Sequence, residues 1–543
     1  MNVLFIPLDE RPCNRIYPQQ LAALRDETTL IVAPNNLLGQ KKQSADVDKL
    51  WGWIYSQVGC CNGAIISLEM LVYGGLLPSR LHQHSISVLS DRLNRIRQLK
   101  LDHPQLILFA SNLIMRTPDY DSSEEEPDYY ADWGKAIFRW GWLYDKQQRD
   151  GLTELETVEF DQLRQTLPFD HLNDYRDRRS KNLAVNQGAI ALVQDGTIDF
   201  LSIPQDDSAR YGFTALDQKQ VVSQIIDARL QQRIHFYPGA DEVGCTLLAR
   251  MALTPAQSSP ENTPPQPSPY QGEGAGPPVS PYVLRTGFAK TKGGLRGVNF
   301  YIFYSSVNSE SIIPLYEDRP LGESVKSHVL AAGANWVWEP QQADVILAIN
   351  TPGKMMQEAW DQPRKDITYS TYRNLRFFVY QIGQFLAAGK PVAIADVAFA
   401  NGGETELVQM LDDAQLWDDI LAYAGWNTCC NTLGTAIASA SLGFNSTKIG
   451  VIQHNKIYRL LEDWAYQSVA RMDIANQYLP SVGASYYDFN DQEALVLQTI
   501  EQQLLHLWDQ MMQQSFQNVA WQIKVLSPWQ RMFEVEIELN ITS

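Results

Sequence analysis

Histidine and cysteine are scarce in this chain, eight and six among 543 residues. The cysteines are Cys13, Cys60, Cys61, Cys245, Cys429 and Cys430, and no two have the CxxC spacing; of the histidines only His82 and His84 lie close together. That pattern excludes a Cys/His zinc site and a disulfide framework, and fits reduced thiols in a cytoplasm. No apolar run approaches the roughly 18 residues that cross a bilayer, so no membrane partner is expected. The start, Met1 followed by the strand-like Asn2 to Pro7, has no basic n-region and no cleavage site, which reads as an unexported, cytoplasmic protein. Positive charge is also short. Lys and Arg number 44 against 62 Asp and Glu, a formal charge of -18 that argues against nucleic acid as partner. It leaves room for an anionic ligand held by a few arginines. Neither a P-loop nor a GxGxxG following a strand is present.

Hydrophobic residues make up 45% and charged residues 20%, the composition of a soluble globular protein with a large core. The length suits two or three domains. One segment, Thr254 to Pro281, holds nine prolines in 28 residues and hardly an aliphatic side chain, so it is expected to be a disordered insertion in a surface loop, with a proline-rich ligand as the alternative. Around it, short apolar runs recur with helical stretches between them. The strands read from the sequence are Val3 to Pro7, Thr29 to Ala33, Ala64 to Ser67, Leu106 to Ala110, Asp199 to Ile203, Ile234 to Tyr237, Val298 to Tyr304, Asp344 to Ile349 and Pro391 to Ala395.

Runs apolar throughout, more than twenty residues apart, indicate parallel strands buried on both faces. The expected fold is therefore α/β, with mostly parallel strands in two lobes enclosing a cleft; a (β/α)8-like barrel with additions is the alternative. The boundaries are residues 1–253 for the first lobe, 254–281 for the insertion, 282–454 for the second lobe, and 455–543 for C-terminal helices and an antiparallel strand pair. That tail reads as scaffold.

In such folds ligands meet the carboxyl ends of the strands. After the first strand come Asp9, Arg11 and Asn14; after the third, Glu69, Tyr73 and Arg80; after the fourth, Asn112 and Arg116. The fifth ends in Asp206 and Asp207 with Tyr211 beyond, and the sixth in Asp241 and Glu242. Asn401 follows the last strand, and Trp426, Asn427 and Asn431 open the next helical run. Several of these residue types also serve as ordinary helix caps, and Asp206-Asp207 and Asp241-Glu242 have that alternative. Glu124 to Glu126 reads as a solvated face. Arg176, Arg178, Arg179 and Lys181 read as a salt-bridged helix face.

The strings PLDERPCN, LVYGGLLPSR, IPQDDS followed by YG, YPGADEVG, DVAFANGG and YAGWNTCCNTLG together resemble the bacterial family catalogued as domain of unknown function 4127. They stand in order over essentially the whole chain apart from the proline-rich insert. The resemblance implies that these strings form the family's site-like motifs, and it brings no activity with it.

Asp, Glu, Arg, Asn, Tyr and Trp together suit a small polar substrate of carbohydrate type, which needs bidentate polar contacts and an aromatic platform. Cleavage of a glycosidic bond needs two carboxyl groups in different protonation states. Asp206-Asp207 resembles the adjacent aspartates of substrate-assisted N-acetylhexosaminidases, which makes Asp207 the expected acid and Asp206 the expected polariser, with Asp241 or Glu242 as the other carboxylates. The expectation is a glycosidase-like hydrolase that requires no cofactor. The alternatives are an enzyme using Mg²⁺ or Mn²⁺ on Asp9, Asp206, Asp241 and Asp396 with a phosphorylated or carboxylated substrate, and a non-catalytic small-ligand binding protein.

Overall fold

The strand Asn2–Ile6 (β1) shows why the apolar runs have no polar face. Val3 and Phe5 enter one hydrophobic core while Leu4 and Ile6 enter another, so both sides of the pleat are dry. The same alternation holds where Ile65 and Phe109 face the first core and Ala64, Ile66, Leu108 and Ala110 the second. The computed structural model that shows this describes residues 1–254 and 297–542. The proline-rich segment from residue 255 onward lies outside the described residues.

β1 joins β2 (Thr29–Val32), β3 (Gly63–Ser67), β4 (Ile107–Ser111), β5 (Phe200–Gln205) and β6 (Ile234–Pro238) in a six-stranded sheet of order β2-β1-β3-β4-β5-β6. Every pairing in it is parallel. The later strands are β7 (Asn299–Tyr304), β8 (Asn335–Val337), β9 (Val345–Asn350), β10 (Gln357–Glu358), β11 (Val392–Asp396), β12 (Phe399–Ala400) and β13 (Ala422–Ala424). Five of them form a second parallel sheet, β13-β11-β9-β7-β8, and β10 and β12 pair with each other. Counted from its own first strand, the second sheet has the order 2-1-3-4-5, which is also the order of the first five strands of the first sheet. In each, the chain reverses direction between its first and third strands, the place where doubly wound sheets open toward a ligand.

The two α/β units are fused. The helices Pro12–Ala22 and Val243–Leu253 cover the inner face of the first sheet, and they pack against the helix Cys429–Gly443 of the second unit within one continuous core. Gly434 lies at that seam: a Cβ there would stand 2.1 Å from Glu242 Cγ. After the second sheet a long helical stretch begins at Ile449–Arg459 and continues through wider π-helical turns at Leu460–Ala470 and Ile474–Tyr478 until Gly483, at φ 74°, ends the Leu479–Val482 turn. The tail closes with β14 (Ala520–Leu526) and β15 (Glu536–Thr542) as an antiparallel pair.

Candidate functional site

The turn after β1 and the turn after β6 meet around one arginine. Arg11 Nε donates to Asp9 Oδ2 at 2.9 Å, and its terminal nitrogens donate to both Asp241 oxygens at 2.6 and 3.4 Å. Asn14 Nδ2 bridges the same two carboxylates at 2.9 and 3.2 Å, and Asn427 Nδ2 reaches Asp241 from the second unit at 2.8 Å. Asn431 Oδ1 accepts from the backbone of Ala240 and Asp241, both at 3.0 Å. Burial, opposed by Arg11 and assisted by Asp9, pushes the Asp241 carboxyl up to about 6. Four site residues read from distant parts of the sequence thus fix Asp241, whose oxygens are all engaged.

A second cluster is built from the ends of β3, β4 and β5. Arg80 pairs with Asp206, Glu125 and Glu126, and Arg116 pairs with Asp207 at 3.1 Å, Glu125 at 2.6 Å and Glu126 at 2.9 Å. Glu125 also holds Arg531 from the C-terminal tail. Although burial raises it, the surrounding arginines Arg531, Arg116 and Arg80 keep the Glu125 carboxyl well below the usual range. The acidic run before Pro127 is therefore no solvated face: Glu126 is 0% exposed, because the loop folds in between two guanidinium groups that need counter-charge.

Asp206 and Asp207 retain some exposure, 15% and 26% at the side chain. Neither caps a helix; the next one, Phe213–Asp227, starts after Gly212 without a side-chain cap. Burial, with Arg116 opposing and Asp206 assisting, pushes the Asp207 carboxyl up to about 6. Its backbone is left-handed, at φ 44°. Tyr316, Asn401 and Asn427 share that region at 69°, 60° and 69°; asparagine and aspartate tolerate it, whereas tyrosine rarely adopts it outside constrained sites.

These groups line a single cleft between the carboxyl edges of the two sheets. Of the residues read from the sequence, Arg11, Arg80, Arg116, Asp206, Asp207, Asp241, Asn401, Asn427 and Asn431 are on its wall. Asp9 and Asn14 stand directly behind through the Arg11 and Asp241 contacts. Sequence reasoning missed the aromatic wall, which comprises Tyr120, Tyr316, Trp360, Tyr486, Tyr487 and Phe533. Three of these six, together with Arg531, come from the tail read as scaffold. Single aromatics in irregular segments carry no periodic signal, although the pair Tyr486-Tyr487 stood visible. Glu358 accepts from the Tyr316 hydroxyl and, at 2.9 Å, from Asn401 Nδ2.

Other expected residues lie elsewhere. Glu69 is buried beneath the cleft, accepting from Asn112 Nδ2 at 2.8 Å, Leu113 N at 2.7 Å and Ser67 Oγ at 3.0 Å; with Tyr73 it borders a small void behind Arg80. Tyr211 packs on Trp142 and bonds to Asp150. Glu242 turns inward to His328 at 3.3 Å. Trp426, 5% exposed, packs edge-on against Tyr17 and beside Phe533 rather than offering a face to the cleft. Asp396 belongs to a buried network with Asn350, Tyr423 and the Glu404 backbone inside the second unit. Asp9, Asp206, Asp241 and Asp396 are thus not gathered into one set, and among the described residues no three His, Cys, Asp or Glu side chains are grouped to hold a metal ion. In the basic run at 176–181, Arg178 and Lys181 pair along the helix with Asp174 and Asp177, buried Arg179 pairs with Asp217 of the next helix, and Arg176 lies over the Trp140 ring.

The cleft offers a carboxyl group that protonates near neutrality, a neighbouring carboxylate clamped by arginine, amide donors from both units and aromatic faces. A family model described as "Protein of unknown function (DUF4127)" matches residues 3–538. No curated protein and no solved structure matches the chain.

Proposed function

The chain belongs to the DUF4127 family of proteins of unknown function, a membership that brings no activity with it, and we propose that its cleft is the active site of a glycosidase-like hydrolase acting on a sugar or amino-sugar. The observation that carries this reading is Asp207, a partly exposed carboxyl on the cleft wall with its pKa pushed up to about 6, next to an Asp206 held by Arg80. Two adjacent carboxyl groups in different environments can divide the work of glycosidic cleavage. Asp207 donates a proton to the departing oxygen, and Asp206 stabilises positive charge developing on the substrate side. Asp241 takes no proton-transfer role, because Arg11, Asn14 and Asn427 occupy its oxygens; it orients the wall. The aromatic rings supply apolar faces for a sugar ring.

A panel of aryl glycosides with good and poor leaving groups tests this reading on purified protein. Asp207→Asn is expected to slow poor leaving groups by about 100-fold or more, within the usual span of general-acid effects, and activated aryl substrates far less. Asp206→Asn is expected to slow both kinds. Equal loss on both kinds in Asp207→Asn would remove the proton-donor assignment, and absence of turnover on every glycoside would remove the hydrolase reading.

A further inference from the structure

The arginines on the cleft wall and the one behind it are not alike. Arg11, Arg80, Arg116 and Arg531 are each closed by two or three carboxylates. Arg471 is not. It is 1% exposed, and its Nε and Nη2 are buried without a hydrogen-bond partner among the described residues. Its guanidinium carbon stands 5.1 Å from the Trp360 ring centroid and 5.6 Å from that of Phe533, and both rings line the cleft, as does the adjacent Met472. The nearby carboxylate Glu358 is occupied by the Tyr316 hydroxyl and Asn401.

A buried guanidinium with unfilled donors is costly unless an acceptor arrives, and two aromatic faces offset only part of that cost. Tyr316 links this cation to the aspartate pair. Its backbone carbonyl accepts from Ser208, next to Asp207, at 3.0 Å, and its hydroxyl lies in the field of both Asp207 and Arg471. Arg471 stands behind the cleft wall, so a ligand seated at Asp206 and Asp207 and extending past Tyr316 reaches it where Trp360 and Phe533 part.

We propose that the ligand of this cleft is anionic, carrying a carboxylate or a phosphate that fills the open donors of Arg471 between Trp360 and Phe533. The sugar part of this inference rests on the reading above; the anion site does not. A planar guanidinium is suited to either group, so the donor geometry leaves the two sources to experiment.

Calorimetric titrations of the whole protein with glucose, glucuronate, glucose 6-phosphate and inorganic phosphate separate the outcomes. Wild type is expected to bind glucuronate or glucose 6-phosphate at least about tenfold more tightly than glucose, and the stronger of the two names the source. Arg471→Gln should abolish that preference and Arg471→Lys retain part of it, with melting curves showing that both fold. If Arg471→Gln fails to fold, Arg471→Lys and the wild-type preference decide. Binding of inorganic phosphate without any sugar, lost in Arg471→Gln, would uphold the anion site and remove the sugar reading. Equal wild-type affinity for glucose and its anionic counterparts, a preference that survives in Arg471→Gln, or no binding of any probe would overturn the proposal.

Discussion

Asp207 is where a local charge balance becomes a measurable titration. Because burial and Asp206 raise its pKa to about 6, the group is protonated below that pH and ionised above it. If it donates the proton, kcat/KM falls as pH rises through about 6. Removing the Asp206 charge in Asp206→Asn should lower the Asp207 pKa by roughly half a unit or more, since a neighbouring like charge is one of the causes that raise it. The carboxyl ¹³C shift of labelled Asp207 reports this without a substrate, and an unchanged midpoint would show that the pair does not interact. The adjacent aspartates were legible in the sequence as a pair at a strand end. Their partners were less so: Arg80 and Arg116 stood in the right loops, but nothing in Glu124 to Glu126 signals that Glu125 gathers three arginines, since such a run has the same composition on a wet surface.

Elements built from uniform apolar runs were the easiest to read. All nine expected strands exist, with ends displaced by one or two residues, because burial on both faces leaves an unbroken hydrophobic signature. β8 and β13, three residues each, and the two-residue β10 and β12 are too short to show a period. The long helical stretch was legible as helix from about residue 455, but its start at Ile449 and its π-helical turns were not, since nothing in side-chain spacing of that length separates 3.6 from a wider pitch. Those turns flank Met472 on the cleft wall and Arg471 behind it. At the seam between the units, Gly434→Ala would drive a methyl group into Glu242 Cγ, which sits too near its own backbone to swing aside. The expected cost is about 1–3 kcal/mol, the range for overpacking, with a lowered melting temperature and a wider cleft. An unchanged melting curve would show that the two helices separate without loss.

Across the whole molecule, buried acids outnumber the arrangements that keep them ionised. Burial raises Asp396, Glu10 and Glu462 to about 7, and Asp463, Asp241 and Asp207 to about 6. Each has an unfolded value near 4, so between about pH 4 and pH 7 the folded chain binds more protons than the unfolded one. Stability from these groups is therefore present at the acid end and lost as pH rises through that window. Glu125, with its lowered pKa, acts in the opposite sense only at more acidic pH, whereas His82 and His235, pushed down by burial to about 4 and about 3, oppose the trend below about pH 6.5 but are outnumbered by the six acids. The melting temperature should be higher at pH 5.5 than at pH 7.5 by ~2 °C or more, and a higher value at pH 7.5 would contradict the account. The two-unit architecture was readable from strand spacing, whereas the matching strand order of the two sheets was not, because order depends on which helices cover which face.

The Glu125–Arg531 ion pair joins residues 406 positions apart. On a ribosome adding about 5–20 residues per second, Arg531 is made roughly 20–80 s after Arg116. During that interval Glu125 has Arg80 and Arg116 but not its tail partner, and the aromatic wall from Tyr486 onward does not yet exist. The aspartate pair is thus present long before the cleft is closed around it, so a nascent chain holds these two carboxyl groups in an unfinished wall until synthesis is almost over.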